Sequence, residues 1–414
     1  MEDKLNRLEI IENLTNILLQ LNLENGVVLG LDAGWGKGKT TFVNLWEKYL
    51  KQNYQDFNII KFNAWENDDS GSPLLSFITE LDNVFPNNDK FKEKGVKLVK
   101  NISINIFDFF LKYFSKDVLN KDIIFNLDEN LITKEKERKE LKENFKKELI
   151  GLSKKKKIIF FIDELDRCKP TYAIELLETI KHLFNIKNCI FVIAWDKLQL
   201  SHSIKTVYGN DMDSEGYLRR FIDLDYQLPE PDKVLYLKLL LTKEQIDNKY
   251  YQTFYEILPV IINVYDLSLR DIDKLIFYLK IHFNRIKIKG VIPVYQYTYS
   301  LLKSLFVIVK LKRTDLYIKI RDRLYTTLEI EEILSLLSVN KIQEMINTDY
   351  SGIDDYIIQI IRTFLLCYID KNNDQERKYV LFKEKTWDEG LYLKYFCGEN
   401  NIFKEIDFLE DIDN

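Results

Sequence analysis

The sequence predicts an α/β fold, with a parallel sheet between two layers of helices, followed by an all-α C-terminal region. Residues 27–31 and 158–162 are continuous apolar runs, which are typical of strands buried on both faces of a parallel sheet. A glycine-rich loop and an amphipathic stretch, residues 42–50, follow the first run. The order strand, loop, helix is the unit of a three-layer α/β domain. Beyond residue 232 the apolar spacing is helical.

The loop after the first strand has the spacing of a phosphate-binding P-loop. Its glycines let successive backbone N–H groups curl around a phosphate, and the helix that follows points its positive dipole end at that anion. Lys39 can reach the β- and γ-phosphates, and the Thr40 hydroxyl can bind Mg²⁺. The predicted fold is therefore a three-layer P-loop NTPase that binds a nucleoside triphosphate and Mg²⁺. Ala33 stands where the usual pattern has glycine, and the predicted nucleotide-binding residues after it are Gly34, Trp35, Gly36, Lys37, Gly38, Lys39, Thr40 and Thr41.

Two acidic residues directly follow the second buried run. Asp163 stands at the carboxyl end of that predicted strand, where an aspartate can hold Mg²⁺ through water. Glu164 beside it can polarise the water that attacks the γ-phosphate. We therefore predict Asp163 and Thr40 as metal ligands, and Glu164 and Lys39 as catalytic residues. The simpler alternative is a buried strand that ends in a solvated acidic turn.

The sequence lacks the motifs of several other P-loop chemistries. It contains no Asn-Lys-x-Asp guanine-binding motif and no Ser-Gly-rich helix of the transporter type. Nucleotide kinases usually lack a glutamate next to the metal-binding aspartate. A pseudo-ATPase scaffold is disfavoured because Lys39, Thr40, Asp163 and Glu164 are all present. Nucleotide hydrolysis is therefore the best-supported reaction.

Taken together, these motifs make the chain similar to KAP-type P-loop NTPases, a branch of the additional-strand, catalytic-glutamate class. The similarity extends over about residues 26–280. It implies ATP as the nucleotide, a nucleotide contact from Asp196, and a bacterial role such as defence against phage with a partner effector. Many members carry transmembrane helices between the P-loop and the acidic strand, and this chain departs from them there. Besides the P-loop, the matching segments are residues 62–65, 163–168, 193–197, 217–221 and 269–271.

A pair of arginines is predicted to act between subunits. Arg219 and Arg220 precede a short predicted strand and a proline-bounded exit at residues 228–232. This pattern resembles the second region of homology in AAA+-like ATPases, where an arginine reaches the γ-phosphate of a neighbouring subunit. The resemblance therefore implies a homo-oligomer in which Arg219 and Arg220 are catalytic. The alternative is that they anchor a helical lid to the acidic strand end of their own chain.

Pro229 and Pro231 mark a predicted domain boundary, because each disfavours regular helix immediately before it. In related ATPases an arginine at the start of a lid helix can contact the nucleotide, and Arg270 holds that position. The alternative is a surface arginine paired with Asp271 or Asp273. The predicted domains are a P-loop NTPase domain over residues 1–228 with a helical insertion at about residues 72–150, a helical lid over residues 229–290, and a C-terminal helical domain over residues 291–414.

Composition fits a globular protein and disfavours several classes. Hydrophobic residues make up 46% of the 414 residues, and the net charge of −5 provides no overall basic field for unspecific nucleic-acid binding. The four cysteines show no CxxC pairing, which argues against a disulfide framework. Cys168 and Cys189 are expected to act as small buried hydrophobes. With three histidines the chain has little material for a metal cluster.

No secretory signal or membrane-spanning segment is expected, and the predicted localisation is cytoplasmic. Residues 1–22 carry charges throughout, and no apolar run reaches the roughly 18 residues that a spanning helix needs. Residues 98–114 are amphipathic, and we expect them to pack against the ATPase core or a partner rather than on a membrane surface. Trp65 is expected to be a solvent-covered structural residue that braces the P-loop helix.

Two biological roles are compatible with these motifs. In the first, the protein is an ATP-driven regulatory switch or assembly factor, whose nucleotide state changes the surface offered to a protein partner or effector. In the second, it is a nucleic-acid-stimulated ATPase of the initiator or loader type. The dependence of the ATPase rate on DNA or RNA at moderate salt separates them.

Overall fold

A computed structural model describes residues 3, 5–21, 25–70, 72–86, 88–102, 129–244, 258–259, 261–263, 265–285, 293–322 and 324. The chain divides into two compact units, Met1–Glu230 and Pro231–Asn414. The elements of the first unit are, in chain order, α1 (Leu8–Gln20), β1 (Val27–Asp32), α2 (Lys39–Asn53), β2 (Phe57–Asn63), α3 (Pro73–Val84), α4 (Asp89–Ile102), α5 (Glu129–Ser153), β3 (Lys157–Asp163), α6 (Pro170–Leu183), β4 (Cys189–Trp195), α7 (Lys197–Tyr208), α8 (Ser214–Arg219) and β5 (Leu224–Gln227).

The five strands form one parallel sheet in the order β2-β3-β4-β1-β5, which confirms the predicted fold class. β4 lies between β1, which leads into the P-loop, and β3, which ends in the acidic pair. It therefore occupies the position of the additional strand that the family resemblance implies. Because all strands run in the same direction, the loops after β1, β2, β3 and β4 gather at one edge of the sheet.

Residues on β3 alternate between two separate cores, and this alternation produces the three layers. On one face, Phe161 packs against Trp46 of α2 with ring centroids 5.5 Å apart. The Trp46 indole N–H in turn donates to the Thr15 hydroxyl of α1 at 2.8 Å. On the other face, Phe160 stacks on Phe191 of β4 at 4.6 Å and meets Phe77 of α3 at 5.6 Å.

The segment between β2 and β3 contributes helices to the second of these cores. Phe91 of α4 and Phe145 of α5 pack with ring centroids 5.2 Å apart. Leu98, the first residue of the predicted amphipathic stretch, is fully buried in the same core, as expected for packing against the domain. Residues 99–102 of that stretch complete α4, and residues 103–114 lie outside the described residues. No helix within the described residues is both long enough and apolar enough to cross a membrane.

The elements of the second unit that lie in the described part of the chain are all helices. These are α9 (Lys233–Lys243), α10 (Leu269–Arg285), α11 (Pro293–Lys312) and α12 (Thr314–Arg321). Four apolar residues at helical spacing on α10 are buried, and they are Ile272, Leu275, Ile276 and Leu279. Residues 325–414, most of the predicted C-terminal domain, lie outside the described residues.

Candidate functional site

The loop between β1 and α2 has the backbone geometry of an anion-binding loop. Gly36 and Gly38 have φ angles of 73° and 87°, in the left-handed region that side-chain-bearing residues rarely adopt. A Cβ at Gly34 would lie 3.2 Å from the Lys37 side chain. Gly38 is the N-cap of α2 and offers no side chain to the first amides of this 15-residue helix. Those N–H groups, with the helix dipole behind them, fit a phosphate.

The two P-loop lysines bind different parts of the protein. The Lys39 ammonium donates to the carbonyl oxygens of Ala33 at 2.6 Å and Gly34 at 3.4 Å. Its charge therefore lies against the loop itself, where a phosphate would meet it. Lys37 forms an ion pair with Glu230, the last residue of the first unit. Thr40 and Thr41 are exposed on the first turn of α2.

The acidic pair lies at the same edge of the sheet, after β3. Asp163 is 9% exposed, and in the sheet it pairs with Asn63 of β2. Its Oδ1 accepts the Glu164 backbone N–H at 2.9 Å. Glu164 has a left-handed backbone with a φ of 63°, which is uncommon for a residue other than glycine. Its carboxylate forms an ion pair with Arg167.

A hydrogen bond joins the P-loop to the turn that follows β3. The Trp35 indole N–H donates to the carboxylate of Asp166. Asp166 is 8% exposed, so its carboxylate is shielded from water. The residue types alone gave no signal for this contact, which joins positions 131 residues apart. It places the P-loop and the acidic turn against each other.

The structure corrects the expectation for Trp65. Its side chain is 53% exposed rather than covered, and its ring faces the Arg167 guanidinium, whose central carbon lies 5.4 Å from the ring centroid. The cause is the turn after β2, in which the Asn63 side chain accepts the Trp65 N–H at 3.1 Å. This turn directs Trp65 towards the loop after β3 instead of towards the P-loop helix. An arginine also stacks well on an aromatic face that stays partly in water.

Asp196 follows β4 at the carboxyl edge of the sheet, as the sequence predicts. It is the N-cap of α7, and its Oδ1 accepts the Gln199 N–H at 3.1 Å. The neighbouring Lys197 N–H donates to Asp32 at the end of β1, at 3.0 Å. Asp196 therefore has a structural role in starting α7, and its contact with a nucleotide stays a prediction.

Arg219 and Arg220 lie at the end of α8, before the edge strand β5, and both are exposed. The ion pair of Arg219 with Glu215 is long, at 4.0 Å. Asp223, just beyond, donates its N–H to the Val28 carbonyl at the amino end of β1. The P-loop leaves the opposite end of that strand. The two arginines are therefore attached at the amino-terminal end of the parallel strands, and the P-loop of the same chain is attached at their carboxyl-terminal end.

Arg270 is exposed on the first turn of α10, in the second unit. Both aspartates that could have paired with it have other partners. Asp271 accepts the Lys312 ammonium at 3.0 Å, and Asp273 accepts the Tyr236 hydroxyl at 2.7 Å. The nucleotide contact of Arg270 stays a prediction.

The two cysteines in the described part of the chain, Cys168 and Cys189, are free and buried, as expected. The Cys168 thiol donates to the Glu164 carbonyl at 3.6 Å. Burial, together with the charges of Asp68 and Asp166, raises the pKa of Cys168 to about 12. Burial also raises the pKa of Cys189. Both therefore remain neutral thiols at neutral pH, and they pack as small hydrophobes.

For a metal, the site offers oxygen ligands. Asp163 supplies a carboxylate and Thr40 a hydroxyl, the hard donors that Mg²⁺ prefers. Mg²⁺ in NTPase sites takes one or two protein oxygens and fills its remaining positions with phosphate oxygens and water. Over the described residues there is no group of three or more His, Cys, Asp or Glu side chains placed to hold a metal ion.

Comparison with known proteins gives one curated relative and several solved structures. The phage T7 exclusion protein of Escherichia coli (strain K12) is 21% identical over 255 residues, which are 56% of this chain and 34% of that protein. The chain thus spans about a third of the length of this relative.

Two solved structures of replication proteins are also similar. Domain III of the Thermotoga maritima replication initiation protein DnaA is 14% identical with a TM-score of 0.34, and the match covers 74% of this chain and 92% of that one. The Aeropyrum pernix ORC2 protein is 12% identical with a TM-score of 0.36, and the match covers 86% of each chain. These TM-scores are low, and the fold assignment rests on the strand order described above.

The family assignment rests on a match over more than half of the chain. The KAP family P-loop domain matches residues 7–286, which include the P-loop, the acidic pair and the arginine pair. The strand order, with β4 between β1 and β3, agrees with this match. The chain belongs to the KAP family of P-loop NTPases.

Proposed function

We propose that this protein binds ATP with Mg²⁺ at its P-loop and hydrolyses it. The observation that carries the proposal is the hydrogen bond from Trp35 to Asp166, because it brings the P-loop against the turn that contains the acidic pair. An anion-binding helix end and two carboxylates then lie at the same end of the sheet, which is the arrangement that phosphoryl transfer to water requires.

Each side chain has a defined task in this proposal. The amides of the P-loop and the first turn of α2 bind the phosphates. Lys39 exchanges its carbonyl contacts for the β- and γ-phosphates, since an ammonium gains more from a phosphate than from a neutral carbonyl. Thr40 and Asp163 would hold Mg²⁺, which when bound neutralises charge on the phosphate oxygens. Glu164 takes a proton from the attacking water as the bond to the leaving ADP oxygen breaks.

The ATPase proposal is tested by comparing the wild type with Glu164→Gln and Lys39→Ala. Glu164→Gln should keep ATP bound and lower turnover by about 10²–10⁴-fold, because an amide cannot accept the proton of the water. Lys39→Ala should lose tight ATP binding in a fluorescent-nucleotide titration. Native turnover in Glu164→Gln would exclude Glu164 as the base and leave Asp166 as the next candidate. Unchanged affinity in Lys39→Ala would contradict the P-loop assignment.

We further propose that the protein is a cytoplasmic homo-oligomer that acts with a protein partner or effector. It works as a regulatory switch or assembly factor, and ATP turnover drives it. The name of the Escherichia coli relative describes the exclusion of a phage, which supports a role in anti-phage defence. Bacteria that express the protein should then resist a phage to which empty-vector cells are sensitive. Lys39→Ala and Glu164→Gln should each abolish that resistance, and full resistance with both variants would contradict an ATP-driven role.

A separate measurement tests the alternative function, that of a nucleic-acid-stimulated ATPase. Its signature is a rise of tenfold or more in the ATPase rate on addition of DNA or RNA at moderate salt. Because phosphate contacts release counterions, that rise should disappear at high salt. An ATPase rate that nucleic acid leaves unchanged favours the protein-partner role, in agreement with the net charge of −5.

A further inference from the structure

The backbone of Glu164 is held in place by a hydrogen-bonded turn. Its N–H donates to Asp163 Oδ1 at 2.9 Å, and its carbonyl accepts the Arg167 N–H at 3.2 Å. The Cys168 thiol donates to the same carbonyl at 3.6 Å. These contacts hold the left-handed conformation, which is unfavourable for a glutamate in isolation. The backbone of the proposed base is therefore fixed, and only its side-chain torsions remain to be set.

The Glu164 carboxylate contacts Arg167. The Arg167 Nε forms an ion pair with Glu164 Oε2, and the two side chains are 26% and 19% exposed. Because both groups are charged and largely shielded from water, this contact is stronger and more directional than an ion pair on an open surface. Asp166, in the same turn, accepts the Trp35 indole N–H.

Arg167 is itself braced from the neighbouring strand. Its guanidinium carbon lies 5.4 Å from the centroid of the Trp65 ring. The Trp65 N–H donates to the side chain of Asn63, the last residue of β2. Asn63 pairs in register with Asp163, which directly precedes Glu164. The contacts from Asn63 through Trp65 and Arg167 to Glu164 therefore form a closed loop across two adjacent strands.

We propose that Arg167, braced by Trp65, is the positioning residue that orients Glu164 towards the attacking water. The inference rests on the proposed ATPase function. The competing role is a brake, in which the ion pair must break before Glu164 can act. The structure favours orientation, because breaking the pair would remove a charge-assisted contact from the largely buried Glu164 carboxylate, and the Trp65 ring holds the Arg167 guanidinium in place beside it.

The first test separates orientation from a brake. Arg167→Ala should lower kcat by about 10- to 100-fold while the KM for ATP stays within about twofold, since a small misplacement of a reacting group has an effect of that size. Trp65→Ala should lower kcat in the same direction, and Trp65→Phe should restore most of it because a ring face is retained. A rise of kcat in Arg167→Ala would identify a brake and overturn the proposal.

The second test separates orientation from a merely structural role. In a Glu164→Gln background, Arg167→Ala should lower kcat no further, because there is no base left to orient. Lys94→Ala is the matched control, since it removes the ion pair with Glu148 between α4 and α5 and should leave kcat unchanged. Additive losses in the double variant, or a parallel loss of ATP affinity and thermal stability in Arg167→Ala, would overturn the proposal.

The wild-type rate distinguishes the failure of this inference from the failure of the proposed function. If the wild type binds ATP but shows no turnover, the ATPase proposal and the positioning role fail together. A different pattern overturns only the positioning role. In that pattern the wild type hydrolyses ATP, Glu164→Gln is inactive, and the kcat of Arg167→Ala equals that of the wild type.

Discussion

Glu175 on α6 is a carboxyl group whose charged form the fold disfavours. Burial, and then the like charge of Glu178, raise its pKa from 4.5 to about 7. Between these two values the folded protein binds more protons at this position than the unfolded chain does. Stability therefore falls as the pH rises through that window, and above about pH 7 the folded state bears the full unfavourable effect of the charge.

Glu175→Gln should remove this pH dependence, because the amide is neutral at every pH. We expect the Tm at pH 8 to rise above that of the wild type, by about 2–4 °C for each kcal/mol gained. The gain should shrink towards pH 5, where the wild-type carboxyl is itself protonated in the folded state. Thermal unfolding followed by circular dichroism at both pH values measures the effect, with the exposed Glu9→Gln as control. An equal gain at both pH values would rule out the titration of Glu175.

At the scale of residues, the motifs predict where groups stand along the chain but not which side chains they meet. The positions of Lys39 and Asp163 follow from strand, loop and helix order, since each stands where a buried strand ends or a helix begins. The ion pair between Glu164 and Arg167 depends on the left-handed backbone of Glu164, which no sequence pattern predicts. The orientation of Trp65 depends on a turn after β2, and this is why the sequence-based expectation for it was wrong.

At the scale of elements, one phenylalanine makes several of the contacts that pack α3 on the sheet. Phe77 is fully buried, and its ring stacks on Phe62 of β2 at 4.5 Å. It also meets Phe160 of β3 at 5.6 Å and Phe184 at 5.1 Å. Phe191 of β4 lies 6.3 Å away, so a single side chain joins α3 to three adjacent strands and to the segment after α6.

Phe77→Ala should lower the free energy of unfolding by about 3–5 kcal/mol, since it removes a buried ring and leaves a cavity that its neighbours fill only in part. Urea denaturation of the full chain measures this loss. The control is Phe277→Ala, because Phe277 is 51% exposed and should change stability little. A loss below about 1 kcal/mol for Phe77→Ala would mean that α3 does not depend on this contact.

Element types were more predictable than element contacts. The apolar runs of β1 and β3 predicted two strands buried on both faces, and both are strands of the parallel sheet. The place of β4 between these two strands followed from the family resemblance rather than from the residues. The packing of α3 was not predictable, because its apolar positions show a helix with one buried face but not which surface covers that face.

At the scale of the molecule, the two ends of the first unit are held together near the P-loop. Arg7 lies just before α1, and its guanidinium donates to the carbonyl of Pro229, near the other end of the unit, at 2.7 Å. Lys37 of the P-loop pairs with the next residue, Glu230. A phosphate in the loop would attract the same lysine, so nucleotide binding and the Lys37 contact with Glu230 compete for one charge.

We predict that the arginine pair completes the nucleotide site of a second subunit. Arg219 and Arg220 are exposed, and Asp223 beyond them is bonded to the amino end of β1, whereas the P-loop follows its carboxyl end. Tyr217, just before them, packs on Tyr208, the last residue of α7, with ring centroids 5.5 Å apart. Since α7 starts at the carboxyl edge of the sheet, its last residue lies far from that edge. These contacts favour a γ-phosphate on a neighbouring subunit over the one bound by the same chain.

ATP should then promote self-association, because the γ-phosphate would be shared across an interface, and an arginine supplied in trans contributes about 10³–10⁵ in rate. The double variant Arg219→Ala/Arg220→Ala should bind ATP without turnover, and Lys39→Ala should lack tight ATP binding but keep its arginines. Mixing these two inactive proteins should restore part of the activity, since one supplies the P-loop and the other the arginines. No rescue at any mixing ratio, together with a monomer in light scattering with ATP, would exclude the shared site and return the arginines to a role within their own chain.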